Sequence, residues 1–81
     1  MKAVPTEQYR RSLMKLPTRV RDAAYKQVDI LVRDLRHPSL RAKKYDEAQD
    51  IWQARVTRSY RFYFVIQKDM YLLLEIEKHR D

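Results

Sequence analysis

The feature that most constrains this chain is a two-residue alternation through its last third, IWQARVTRSYRFYFVIQKDMYLLLEIEKHRD. Trp52, Ala54 and Val56, then Phe62, Phe64 and Ile66, then Leu72, Leu74 and Ile76 all occupy even positions. That is the period of a strand with one side against a core. Thr57-Arg58-Ser59 and Lys68-Asp69 separate the three runs and predict hairpin turns, so the stretch reads as an antiparallel meander. The odd positions carry Gln53, Arg55, Thr57, Arg61, Tyr63, Tyr71, Glu75, Glu77 and His79. Packing alone does not require such a polar, basic and aromatic face, which makes it the place to look for function.

Upstream the period changes to that of helices. Tyr9, Leu13 and Leu16 recur at helical spacing between Thr6, placed to cap a start, and Pro17, placed to stop the run. Thr18 is expected to cap a longer helix whose apolar stripe is Val20, Ala24, Val28, Leu31 and Leu35. It should end near Arg36, because Pro38 disfavours helical geometry at His37. So short a link between the two predicts an antiparallel helical hairpin. Met1 to Val4 reads as a short edge strand, and Leu40 to Tyr45 as a strand entering the sheet before an acidic turn at Asp46, Glu47 and Asp50. The expected fold is a two-layer α+β domain over residues 1–81, an N-terminal helical hairpin packed on a three- to four-stranded antiparallel sheet.

Composition narrows the chemistry. There is no glycine, which excludes glycine-rich phosphate loops, and no cysteine, which excludes disulfides and thiolate-held metals. The two histidines, His37 and His79, are far apart in sequence, so neither a metal site nor a cofactor is predicted. No apolar run approaches the roughly 18 residues of a membrane span, and the expectation is a soluble, cytoplasmic protein. Eighteen Lys and Arg against 11 Asp and Glu give a net charge of +7, which favours an anionic partner, either nucleic acid or an acidic protein. Arg55 and Arg61 lie on neighbouring strands across a short turn, so they should point the same way and hold one anion between them. His79 shares their parity. The plainer reading pairs these arginines across strands with Glu75 or Glu77, and takes His37 as a local cap.

Several short motifs, in order, carry a resemblance. They are Leu16-Pro17 at the helical hairpin, Pro38-Ser-Leu-Arg-Ala-Lys-Lys44, Trp52-Gln-Ala-Arg-Val56, the Tyr60-Arg61 pair, and Lys78-His79 near the end. Together they resemble the RelE/ParE superfamily of toxins from type II toxin–antitoxin systems over almost the whole chain. The resemblance implies a small sheet backed by two N-terminal helices, a cognate antitoxin as partner, and one of two activities. RelE-like members are ribosome-dependent mRNA endonucleases, whereas ParE-like members act on DNA gyrase without cutting RNA. A catalytically inactive RNA-binding relative is a third possibility. The family's basic strand position falls on Arg55, its Tyr-Arg arginine on Arg61, and its C-terminal catalytic position on His79. A strand lysine of some members is replaced here by Gln53. RelE-like chains commonly continue to a catalytic tyrosine, whereas this sequence stops at Asp81.

RNA cleavage by transesterification needs an acid, a base and cations on the phosphoryl oxygens, and no metal. Arg55 and Arg61 suit the cationic role and His79 the proton transfers. Lys43 and Lys44 are then expected to contact backbone phosphates, Gln53 to join them in binding RNA, and Tyr63 or Tyr71 to stack on an unpaired base.

Overall fold

The computed structural model describes residues 1–79; Arg80 and Asp81, the end of the alternating run, lie outside them. The chain forms strand β1 (Lys2–Pro5), helices α1 (Glu7–Met14) and α2 (Thr18–Arg33), a 3-10 turn (Pro38–Leu40), then β2 (Lys43–Asp46), β3 (Ile51–Thr57), β4 (Tyr60–Gln67) and β5 (Met70–Lys78). The strands make one sheet in the order β1-β5-β4-β3-β2. β2 to β5 pair antiparallel with their neighbours, but β1 pairs parallel to β5, with Ala3 opposite Tyr71. The expected three or four antiparallel strands are therefore a five-stranded mixed sheet. Hairpin rules link only neighbours in sequence, and the pairing of the first strand with the last is set by long-range docking.

Local chemistry explains the helices. Thr6 Oγ1 accepts from the Tyr9 amide at 3.1 Å, an N-cap on α1, and the buried Tyr9 and Leu13 face inward. α2 begins at Thr18, one residue away from its expected role as cap, behind Pro17 at φ −55°, an angle already suited to helix entry. It ends at Arg33 rather than Arg36. Asp34 adopts an extended backbone, and its carboxylate takes the Arg36 amide at 3.0 Å in place of a helical carbonyl. Val20, Ala24 and Leu31 are buried, with Val28 and Leu35 half-buried beside them. The inward position between Ala24 and Leu31 is Gln27, whose amide donates to the carbonyls of Arg55 at 2.8 Å and Ser39 at 3.1 Å. Leu40, fully buried, pins the 3-10 turn, and His37 caps that turn by accepting the Ser39 amide on Nδ1.

In the sheet, Ala54, Val56, Phe62 and Phe64 point into the core as the alternation predicts. Phe62 and Phe64 are completely buried, each stabilising the fold by about 1.5–3 kcal/mol. The alternation fails in β5. Tyr63 pairs with Glu75 but Phe64 with Leu73, so Leu74 is an extra residue, a β-bulge. N-terminal to it the parity is reversed: Tyr71 and Leu73 are buried, while Leu72 and Leu74, expected in the core, are only half-buried. Ile66, also expected in the core, is 37% exposed near the strand end. Two further bulges place Tyr45 in β2 and Val56 in β3 as extra residues. Beyond the end of β1, α1 closes the edge of β5: the Thr6 amide and hydroxyl donate to the Leu73 and Leu74 carbonyls, and the Ile76 amide donates to Ser12 Oγ. Those bonds satisfy a strand edge that would otherwise be open to pairing.

Candidate nucleic-acid interface

The sheet face opposite the helices carries two cross-strand rows. Arg55, Arg61 and Glu77 lie side by side on β3, β4 and β5, and in the next row Lys43, Gln53, Tyr63 and Glu75 lie across β2 to β5. Arg55 stands directly opposite Arg61. Like charges in such a pair are destabilising unless something anionic intervenes. Glu77 faces Arg61 from the other side in register, yet no ion pair within 4.0 Å joins them among the described residues. Arg61 instead folds back over the β3–β4 turn, its Nη1 donating to the carbonyls of Thr57 at 3.1 Å and Tyr60 at 3.2 Å. These bonds fix the guanidinium plane while both residues stay half-buried on the open face. The strand under Arg55 is fixed too, because its carbonyl is the acceptor of Gln27.

His79 reaches the same turn from the end of β5: its backbone amide donates to the Ser59 carbonyl at 2.6 Å, and its side chain is half-buried. Arg55, Arg61 and His79 therefore occupy one end of the sheet. Gln53 and Tyr63 sit one row away on the same face, with the exposed Lys43 beside Gln53.

Two expected contacts are elsewhere. Tyr71 cannot stack on a bound base, because the Leu74 bulge turns it into the core, where it is 5% exposed and meets Phe64 edge-on at 5.6 Å. Lys44 pairs with Trp52 and so faces the helix side, 5.5 Å from the indole ring and bound to Asp50 and Glu47. The hydrogen bond to Asp50 is the main cause that raises its pKa. Asp46, Glu47 and Asp50 thus form a turn that partly serves as the counter-charge of Lys44. Among the described residues no three His, Asp or Glu side chains gather to hold a metal.

The open face also contains residues the alternation did not single out. Tyr45, brought round by its bulge, meets Tyr63 edge-on at 4.8 Å. With Ile51, Leu74, Glu75 and Glu77 these two rings line a shallow cavity of about 110 Å³. The Tyr63 phenol is held above its usual pKa by burial first, then by the charge of Glu77. The Glu77 carboxyl is raised by burial and by the charge and hydrogen bond of Glu75. Tyr71 and Ile76 are both buried yet five residues apart, an odd spacing that the strand accommodates with the extra residue Leu74.

No family model matches the sequence, and no curated protein does. Solved structures do match. A YoeB/ParE toxin from Agrobacterium tumefaciens superposes with a TM-score of 0.80 at 14% identity, covering 99% of this chain and all of that one. The RelBE2 toxin–antitoxin complex from Mycobacterium tuberculosis gives 0.79 at 23% identity over 96% of each chain. The fold is that of the RelE-like toxins. An archaeal RelE–RelB complex from Pyrococcus horikoshii gives 0.78 at 17% identity, covering 95% of this chain and 92% of that one. The RelE-like fold is thus present throughout the described chain with few shared residues, as expected when packing pattern, not identity, is what a fold requires.

Proposed function

We propose that this protein is the toxin of a toxin–antitoxin pair and cuts mRNA on the ribosome by transesterification, acting in the cytoplasm. The observation that carries the reading is the Arg55–Arg61 cross-strand pair, two basic residues in register on the sheet face away from the helices, with the His79 backbone anchored at the same turn. A phosphate held at this pair would accept planar, paired hydrogen bonds.

In this reaction the 2′-hydroxyl attacks the adjacent phosphorus, its proton passes to a base, and the P–O5′ bond breaks as the leaving oxygen receives a proton. His79 serves one of these transfers, since imidazole titrates near neutral pH. Arg61 and Arg55 stabilise the charge that builds on the non-bridging oxygens. Lys43 and Gln53 contact the flanking backbone, and Tyr63 stacks on a base. The antitoxin reading is supported by the toxin–antitoxin complexes among the similar structures.

A reconstituted translation reaction tests this directly. Cuts within translated codons should leave 2′,3′-cyclic phosphate ends, and both Arg61→Ala and His79→Ala should slow them by about 100-fold or more. Intact mRNA on elongating ribosomes would refute the nuclease reading, and inhibition of DNA gyrase supercoiling would then identify the ParE-like activity.

A further inference from the structure

A second cavity, of about 230 Å³, lies on the helix side of the sheet where the 3-10 turn meets β3. Leu35, Ala42 and Trp52 line it and are half-buried against the core, whereas Arg36, His37 and Arg41 line it from exposed positions. All three exposed side chains are donors. Neither arginine makes an ion pair within 4.0 Å among the described residues, and no carboxylate lines the cavity. His37 Nδ1 accepts the Ser39 amide at 3.1 Å, so the ring proton stands on Nε2 and makes that nitrogen a donor. Arg41 is held there against local preference. Its backbone is left-handed, φ 46° and ψ 43°, where the Cβ of any residue other than glycine is crowded. The buried Leu40 and the bond from the Arg41 amide to the Pro38 carbonyl at 3.3 Å maintain the turn. Strain of this kind clusters where a ligand is clamped.

We propose that this cavity binds a phosphomonoester, carried by a small nucleotide or by the 5′ end of an RNA, with Arg36, His37 and Arg41 each donating to one of its three terminal oxygens. The count of acceptors selects the group. A backbone phosphodiester has two non-bridging oxygens and a carboxylate has two in all, so either leaves one donor unused. Charge agrees: a phosphomonoester carries roughly 1.5 to 2 negative charges near neutral pH, close to the two positive charges of Arg36 and Arg41. The rest of the ligand lies against Leu35 and Trp52. The indole is a fixed wall, stacked on Phe64 with centroids 6.1 Å apart and with Lys44 over its ring, and that lysine is already bound to Asp50 and Glu47. The volume is below the roughly 300–1,000 Å³ of pockets for drug-sized ligands, which suits one terminal nucleotide and nothing larger. The site is separate from Arg55 and Arg61, which stand on the opposite face of the sheet, so the proposal does not depend on the nuclease reading.

The test is an NMR titration of the ¹⁵N-labelled full chain, in which Trp52 is the only tryptophan and its indole N–H gives a single signal. Adenosine 5′-monophosphate should shift that signal together with the amides of His37, Arg41 and Ala42. Adenosine 3′,5′-cyclic monophosphate, a diester, and adenosine itself should bind at these signals at least about tenfold more weakly. Two 2′-O-methyl trinucleotides, alike except for a 5′-phosphate or a 5′-hydroxyl, separate the sources: a tenfold preference for the phosphorylated one identifies an RNA end as ligand, and equal weak binding of both identifies the free nucleotide. Arg36→Ala should weaken the monophosphate by about tenfold. Arg41→Gly should do the same while its thermal midpoint stays level or rises, because glycine relieves the left-handed backbone, so lost binding is not lost folding. Arg61→Ala should leave affinity at this cavity unchanged. Equal affinity for the monoester and the diester, or shifts confined to Arg55 and Arg61 with none at Trp52, would overturn the proposal and leave the RNA reading standing.

Discussion

Gln27 shows how one polar side chain inside a helix stripe ties three parts of this molecule together. Its amide donates to the carbonyls of Arg55 on β3 and Ser39 in the 3-10 turn, so the backbone beneath one of the two open-face arginines is set from the helix side. A leucine at this position fits the apolar stripe but removes both donors. Gln27→Leu should therefore cost about 1–3 kcal/mol, since the acceptors lose their partners with little hydration in return. Urea denaturation with an unchanged m-value is the measurement, and an unaltered midpoint would mean that water satisfies both carbonyls. The same scale explains Lys44 and Tyr71. Each is a residue type suited to RNA, yet Lys44 is held by Asp50 on the helix side and Tyr71 is in the core.

At the scale of elements, the β-bulges decide what each face displays. Leu74 is the extra residue that allows Tyr71 and Leu73 to be buried while Glu75 and Glu77 stand on the open face and Ile76 returns to the core. Tyr45 does the corresponding thing at the other edge of the interface. Deleting Leu74 closes the bulge and leaves Glu75 opposite Tyr63 and Leu73 opposite Phe64 in a regular ladder, so both faces keep their residues. The expected change is below about 1.5 kcal/mol and is read from the thermal midpoint. Substituting Leu74→Ala keeps the bulge and should also cost little, because the side chain is only half-buried. A loss of about 3 kcal/mol or more on deletion, comparable to removing a large core side chain, would show that the bend of the bulge is itself required.

For the whole molecule the relevant quantity is how the +7 charge is distributed. Glu7 and Arg11, and Asp29 and Arg33, pair along exposed helix surfaces, and Lys44 is paired with Asp50 and Glu47, so these cations are partly committed. Such exposed pairs contribute little to stability, but they do reduce the positive field on the helix side. Arg55, Arg61 and Lys43 share the open face. RNA affinity should therefore fall with rising salt, and Arg55→Ala and Arg61→Ala should each lower the slope of log affinity against log salt by roughly 0.7, the single-strand value for one phosphate contact. Fluorescence anisotropy at several salt concentrations measures this. Unchanged slopes in both variants would remove the arginine pair from the contact.

The sequence by itself determined the two helices and their inward stripes, the three-stranded meander, the core positions Ala54, Val56, Phe62 and Phe64, and the shared face of Arg55, Arg61 and Tyr63. Those features follow from periods of 3.6 and two residues, and from caps and turns, all of which act over a few neighbours. The tertiary structure decided the parallel pairing of β1 with β5, the reversal of parity at Leu74, and the arrival of Tyr45 on the open face. The run Leu72-Leu73-Leu74 is equally apolar in either register, so local sequence offered no preference. Which leucine became the bulge was settled by what it had to pack against: Phe64 opposite Leu73 on one side of the sheet and Tyr63 opposite Glu75 on the other. Burial of large side chains on one face stabilises by several kcal/mol, more than the local cost of one unpaired residue, and that difference decided which residues stand on the open face.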